Sequence, residues 1–315
     1  MLKIIIQESE IGAGTRGSSL GPDAVILAGA KQSPNFFEGR TWEVLENRND
    51  HLLIPTDTKR AIRIKPMLEV WEKHAQSIRK NIIDGHLPVL LSADHASAGA
   101  TIAGIKMANP DKRIGVVWID AHADLHSPFT SPSGNIHGMP LACSIADDNN
   151  DFGRELPSDA TIMAWDKMKT LGKISPKIAP SDIRFVAVRD TEMEENHLIE
   201  KHAIQNYTVS AARRMSMSSV ASEILNGLQT CDLIYVSFDV DSMDPDVVSY
   251  GTGTPVKDGL TPSEASELIN ALLLDPKLCC FEMVEVNPLL DNKCNTMGET
   301  AYEIFASAIE TIESK

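Results

Sequence analysis

Short apolar runs that stop abruptly at acids and histidines constrain this chain more than any other feature. Val89-Leu90-Leu91 runs into Asp94-His95. Ile114 to Trp118 runs into Ile119-Asp120-Ala121-His122-Ala123-Asp124. Asp232 to Val236 leads into Ser237-Phe238-Asp239-Val240-Asp241. Apolar runs of this length read as strands buried on both faces of a parallel sheet. In open α/β sheets, ligands bind just beyond the carboxyl ends of such strands. Three strands that end this way aim their carboxylates and imidazoles at one crevice.

The same alternation continues along the chain. Strands are expected at 2–6, 88–92, 114–119, 183–188, 232–238 and 279–286. Helices are expected near 22–31, 59–84, 97–107, 138–147, 194–203, 211–228, 262–274 and 298–313. Thr261 is placed to cap the helix that Pro262 opens. Strand and helix in turn imply a mostly parallel sheet covered on both faces, an α/β fold. No shift in composition marks a boundary, so residues 1–315 read as a single domain. The polar stretch 147–182 reads as a surface excursion.

Charge and cysteine content narrow the class. The net charge is −15, from 44 acids against 29 bases. That balance argues against nucleic acid or an anionic membrane as the main partner. It suits a small cationic substrate. The five cysteines, Cys143, Cys231, Cys279, Cys280 and Cys294, form no C-x-x-C pair, which argues against a disulfide framework or a structural zinc site. No apolar run is long enough to span a bilayer, and the opening Met1 to Ile6 is too short for a signal-peptide core. A reducing, cytoplasmic location is the expectation.

The strand-end residues have the chemistry of a metal site. Asp120, His122 and Asp124 alternate, so on extended backbone they share a face, as do Asp239 and Asp241. Carboxylate mixed with imidazole suits first-row divalent ions such as manganese, cobalt or zinc better than magnesium or calcium. Four carboxylates balance the charge of two such ions, and a close pair turns a shared water into hydroxide near neutral pH. A lone Asp-x-Asp is more often a turn than a ligand; three such segments, each after its own strand, point to metal.

These motifs resemble those of the ureohydrolase superfamily, which includes arginase, agmatinase and formiminoglutamase, with arginase nearest. The resemblance rests on Asp120-Ala-His-Ala-Asp124, Ser237-Phe-Asp-Val-Asp-Ser-Met-Asp-Pro245, Asp94-His95 and Glu285-Val-Asn-Pro288. It extends from the Arg16-Gly17 region to the last helix. It implies a three-layer α/β/α sandwich around a parallel sheet of about eight strands. It further implies two divalent metal ions, Mn2+ first and Co2+ or Zn2+ next. His95, Asp120, Asp124 and Asp239 would serve one ion, and His122, Asp120, Asp239 and Asp241 the other. Trimers or hexamers are common in the family, so a homo-oligomer is implied too.

The resemblance also implies a guanidino substrate, with L-arginine giving L-ornithine and urea. Ser131, Ser133 and Asn135 fall on the arginase loop that contacts the α-carboxylate. Asp190, Glu192 and Glu195 fall on the segment that receives the α-ammonium, with Glu192 standing where an aspartate is usual, and Glu194 beside them reads as a surface acid. Glu285 is placed to pair with the guanidinium and Thr254 lies in the Thr-Gly-Thr-Pro loop. Asp124 and His137 take the proton-transfer positions. Three departures stand out. Ser92-Ala93 replace the usual Gly-Gly, His126 replaces an asparagine that contacts the carboxylate, and one extra residue separates Asp241 from Thr254. Agmatinase, guanidinobutyrase and formiminoglutamase activities remain open, as does a catalytically silent metal-binding homologue. A zinc deacetylase-like hydrolase shares the architecture but needs only about three protein ligands.

Overall fold

The computed structural model describes residues 1–56 and 58–315. Eight strands form one sheet: β1 (Leu2–Gln7), β2 (Trp42–Val44), β3 (Leu87–Ser92), β4 (Ile114–Ile119), β5 (Ile183–Val186), β6 (Gln205–Tyr207), β7 (Leu233–Asp239) and β8 (Leu278–Val284). Their order is β2-β1-β3-β8-β7-β4-β5-β6, and every paired neighbour is parallel. All strands therefore end on the same edge. The chain leaves β3, skips two places to β4, and returns later to fill the gap with β7 and β8. The expected metal motifs lie at the ends of these four central strands.

Alternation along the strands builds the layers. On β4, Val117 and Ile119 join one apolar cluster, with Val236 and Phe238 of β7 and Phe281 and Met283 of β8. That face is covered by α1 (Gly21–Gln32), α8 (Met217–Gly227), α9 (Pro262–Leu273) and α10 (Thr296–Glu313). Val116 and Trp118 point the other way and join Leu90, Tyr235 and Cys280 beneath α3 (Ser97–Ala108). Outside α3 lies α2 (Ile64–Ile83). The result is the expected α/β/α sandwich. Thr261 caps α9 as expected, with Glu264 returning the bond to form a capping box.

Several expectations needed correction. The helix expected over 59–84 starts only at Ile64. The helix expected over 211–228 is two, α7 (Val209–Met215) and α8, broken at Ser216 where φ is +80°. The edge strands β2 and β6 were not anticipated. Stretch 147–182 is not a mere surface excursion. It contains α5 (Asp159–Lys169), whose Trp165 and Met168 are fully buried against α2 residues. Asp148 anchors it, accepting from Trp165 Nε1 at 2.6 Å and from Lys169 Nζ at 2.7 Å. The five cysteines are all free; Cys280 is fully buried as a small hydrophobe.

Trp165→Ala should cost about 3–5 kcal/mol of stability, the usual penalty for deleting a buried aromatic. Urea unfolding measures it; a change below about 1 kcal/mol would mean that α5 is not part of the core.

Candidate metal centre

Five neighbouring strands deliver the site. Asp94 and His95 follow β3, Glu285 follows β8, Asp239 ends β7, Asp120 follows β4 and Asp190 lies beyond β5. His95 Nδ1 stands 2.9 Å from Asp120 Oδ2, 3.2 Å from Asp239 Oδ2 and 3.3 Å from Asp124 Oδ2. His122 Nδ1 stands 3.1 Å from Asp241 Oδ2 and 3.4 Å from Asp120 Oδ1. Two groups of ligand atoms thus converge, His95–Asp120–Asp239 and Asp120–His122–Asp241, and they share Asp120. Asp124 flanks the first group. Asp120, Asp124, Asp239 and Asp241 are all buried.

Local hydrogen bonds fix these side chains. Asp120 Oδ1 accepts from His122 N–H at 2.7 Å, and Asp239 Oδ1 accepts from Asp241 N–H at 2.8 Å. Each alternating motif is therefore braced by its own backbone. The His95 ring stacks flat on Trp118, with centroids 3.9 Å apart. Asp124 and Glu285 adopt φ of +50° and +68°. Such left-handed geometry is rare outside glycine and gathers at functional sites. Thr254, in the loop beyond the extra residue, donates from Oγ1 to Asp241 Oδ2 at 3.0 Å.

The electrostatics of this cluster fit bound cations. Burial, then the neighbouring Asp120 carboxylate, pushes Asp124 well above the carboxylate range. Burial, Asp241 and Asp120 do the same to Asp239. Burial opposes charge on His95, but the facing carboxylates of Asp120 and Asp239 outweigh it and hold the imidazole well above its ordinary pKa. His122 is raised in the same way by Asp241 and Asp120. The shifts mark positions where cations would neutralise the carboxylates. His95 Nδ1 and Asp120 Oδ2 are buried and lack a hydrogen-bond partner, as atoms aimed at a metal should.

Above the cluster opens a cavity of about 240 Å³. That is below the ~300–1,000 Å³ of drug-sized pockets, and suits a molecule of amino-acid size. His126, Ser133, Asp190, Glu192, Glu195 and Thr254 line it with the metal-cluster side chains. Ser131 lies buried beside it, its Oγ accepting from Gly134 N–H at 2.9 Å. Asn135 is half-buried against Gly14, where an added Cβ would meet its amide at 2.5 Å. Glu285 sits behind the floor. Its Oε1 accepts from His95 N–H and faces His137 Nδ1, each at 3.0 Å. Burial opposes charge on His137, but Glu285 prevails and lifts it to about 9.

Each expected site residue is therefore in or beside one pocket, with one difference in detail. His126 is not free to face a carboxylate. Its Nε2 lies 2.7 Å from Glu192 Oε2 and its Nδ1 lies 3.2 Å from Thr130 Oγ1. Glu194, expected to be a surface acid, is buried and takes Arg154 Nε at 2.6 Å. The sequence reading assigned no role to Arg189. This side chain donates to the carbonyls of Ala187, Asp241, Val256 and Lys257, tying the ends of β5 and β7 to the Thr254 loop. An arginine just past a strand end was the only signal for it.

Comparison with known proteins agrees with this geometry. The model of the arginase family matches residues 4–310. The chain belongs to the arginase family. Arginase from Bacillus subtilis is 33% identical over 309 residues, 98% of this chain and 97% of its own. The structure of Entamoeba histolytica arginase in complex with L-ornithine superposes with a TM-score of 0.80, at 26% identity and 98% coverage of each chain. The formimidoylglutamase of Bacillus subtilis shares the fold, with a TM-score of 0.74 at 17% identity over 99% of this chain and 88% of its own. This arginase-family chain is accordingly a hydrolase of the ureohydrolase type. Among its described residues, no helix is long and apolar enough to cross a membrane.

Metal should stabilise this protein more as pH rises. An imidazole held above its ordinary pKa of 6.5 stabilises the fold below that value and loses the contribution as pH climbs through its raised pKa. The raised carboxylates of Asp124 and Asp239 cost stability over the same climb. Metal needs both groups deprotonated. The rise in Tm on adding Mn2+ should therefore be larger at pH 8.5 than at pH 6. An equal or smaller shift at the higher pH would contradict the assignment.

Proposed function

We propose that the protein hydrolyses L-arginine to L-ornithine and urea with two divalent ions, Mn2+ preferred and Co2+ or Zn2+ next. The observation that carries this reading is the pocket itself. Its floor is a doubly grouped carboxylate–imidazole cluster and its rim gathers acids on one side and the Ser131–Asn135 loop on the other. His95, Asp120, Asp124 and Asp239 would hold one ion, and His122, Asp120, Asp239 and Asp241 the other. Such a pair supplies a hydroxide nucleophile near neutral pH.

The protein groups supply the rest. Glu285 has one oxygen committed to His95 N–H and His137, which leaves Oε2 to take a guanidinium N–H. A carboxylate so held orients a planar guanidinium. Asp124 stands beside the cluster and can carry a proton from the nucleophile to the departing side-chain amine. The bond broken joins the guanidinium carbon to that amine, which leaves as the ornithine side chain. His137 is still protonated near neutral pH and is partly open to solvent, so it can return a proton from water. Asp190, Glu192 and Glu195 answer the α-ammonium, and Ser131, Ser133 and Asn135 the α-carboxylate.

One observation favours a second reading. His126 turns toward Glu192, so the rim presents three acids and no cation of its own to a carboxylate. Agmatine, a guanidinium with a terminal ammonium, would satisfy those acids alone. The two substrates are separated by their kcat/KM ratio. A site that bonds a group rejects analogues lacking it, and a partly wet rim should give arginine an advantage of roughly 10²–10³. Asn135→Ala should narrow that gap by harming arginine more than agmatine. A wild-type preference for agmatine overturns the arginine assignment.

The floor makes its own prediction. Asp239→Ala removes a carboxylate common to both proposed ligand sets, so urea formation should fall below detection and bound Mn2+ should drop. Retention of two ions and of activity would rule out the proposed cluster.

A further inference from the structure

The polar stretch 147–182 does more than carry α5. Its first residues are fastened along α6 (Met193–His202), the helix whose opening turn supplies acids of the rim. Asp147 Oδ2 takes Lys201 Nζ at 2.7 Å and lies 2.8 Å from His202 Nε2. Asn149 Nδ2 donates to Glu194 O at 2.7 Å. Arg154 N–H donates to Phe129 O at 2.8 Å, and Arg154 Nε donates to Glu194 Oε1 at 2.6 Å. Its Nη2 stands 3.9 Å from Glu192 Oε2. These contacts hold Arg154 immediately behind the acid wall of the pocket, and its side chain is not among those that line the cavity.

The charge of that wall is one-sided. Asp190, Glu192 and Glu195 line the pocket, and buried Glu194 lies between the last two in sequence. Among the described residues, Arg154 is the only lysine or arginine paired with any of them. The Oε2 of Glu194 is buried without a hydrogen-bond partner, so compensation of this carboxylate falls on Arg154. A charge-assisted bond of this length is a strong one, and it holds the Glu194 carboxyl below its ordinary range. The acid next to Arg154 in sequence does not compete for it, because Glu155 is paired with Arg60 Nη2 at 3.2 Å. Arg154 therefore sets the net charge of the wall.

Net charge matters because the candidate substrates differ at this end. The far end of arginine carries an ammonium and a carboxylate and is neutral overall. The far end of agmatine is a bare ammonium. An uncompensated negative charge behind the rim attracts the bare ammonium, but it pulls on one group of the neutral pair and pushes on the other. Specificity is a difference of affinities, and like charge placed near a carboxylate is one way to create it.

We propose that Arg154 is a specificity-determining residue that acts by charge: it cancels a carboxylate behind the rim, and so lets the pocket prefer the carboxylate-bearing far end of an amino acid over a bare amine. This role rests on the arginine reading above and refines it. Arg154 belongs to neither group of ligand atoms at the floor, so its removal should act on KM more than on kcat.

The test compares Arg154→Met, Arg154→Lys, Glu194→Gln and the double variant Arg154→Met/Glu194→Gln in the full chain loaded with Mn2+. The readout is the kcat/KM for arginine divided by that for agmatine. Arg154→Met leaves an extra negative charge and should move the ratio toward agmatine by roughly three- to tenfold at low salt, with a smaller shift at high salt. Glu194→Gln alone should move it the opposite way. Arg154→Lys keeps the charge and should restore most of the ratio. The double variant removes both charges of the pair and should return the ratio close to wild type, which a merely structural role would not do. Should Arg154→Met fail to fold with Glu194 left unpaired, Glu194→Gln and the double variant carry the same comparison. If neither substrate turns over, calorimetric Kd values for L-ornithine and 1,4-diaminobutane, which differ at the far end in the same way, supply the ratio. A ratio unchanged in the single variants overturns the proposal, and so does a shift that persists in the double variant. A wild type that prefers agmatine overturns the arginine reading instead, and the direction of the shifts still decides the role of Arg154.

Discussion

Mutual repulsion among buried carboxylates is the constraint on which the site depends. Asp120, Asp124, Asp239 and Asp241 crowd two imidazoles in a space from which water is largely excluded. At short range and low effective dielectric, each like-charge pair costs several kcal/mol. That crowding raises the pKa of both histidines and of Asp124 and Asp239. Folding thus brings together a set of groups that only cations fully satisfy. An eight-stranded parallel core is what makes this affordable, because its apolar burial is large and lies almost entirely below the strand ends.

The backbone shows the same tension. Asp124, Ala187 and Glu285 all adopt positive φ where the chain leaves its central strands or the loops just after them. Each such residue costs about 1–3 kcal/mol and persists only where its surroundings over-determine it. Here they do. Glu285 N–H donates to Ala93 O, Leu141 N–H to Asp124 O and Ala187 N–H to Tyr207 O. Ala93, one of the two departures from the usual glycine pair, is thus a partner that helps hold Glu285. The turn it makes is compatible with a Cβ, and the substitution leaves the approach of His95 to Glu285 intact at 3.0 Å.

Much of the site was legible in the sequence because the signal is local. A buried strand followed by alternating acids and histidines specifies both the element and the direction of its side chains. The short edge strands were not legible. Trp42–Val44 and Gln205–Tyr207 are three residues each, and neither carries an apolar run. The break at Ser216 was hidden because the helical periodicity continues on both sides of it. Trp165 was missed because a single buried aromatic in a polar stretch has no period. The hydroxyls around Glu282 were invisible for a different reason. Ser92, Ser97 and Tyr235 come from β3, α3 and β7, and only the packed fold brings them to one carboxylate on β8.

The rim follows a different logic from the floor. Floor ligands are each held by several partners, so no one of them can change alone. Rim residues are held in pairs, and pairs can change together. His126 and Glu192 are such a pair, since each stands where the family resemblance leads one to expect another residue. An aspartate at 192 would be one methylene shorter and would fall roughly 1.5 Å short of the imidazole. An asparagine at 126 would leave the longer acid reaching toward solvent. The 2.7 Å contact between them makes the two departures one change. His126 is nearly buried, so altering Glu192 alone would leave a ring nitrogen unpaired, a cost of about 1–3 kcal/mol. Neither residue of the pair belongs to the two groups of ligand atoms at the floor, so the rim can differ while those atoms stay in place.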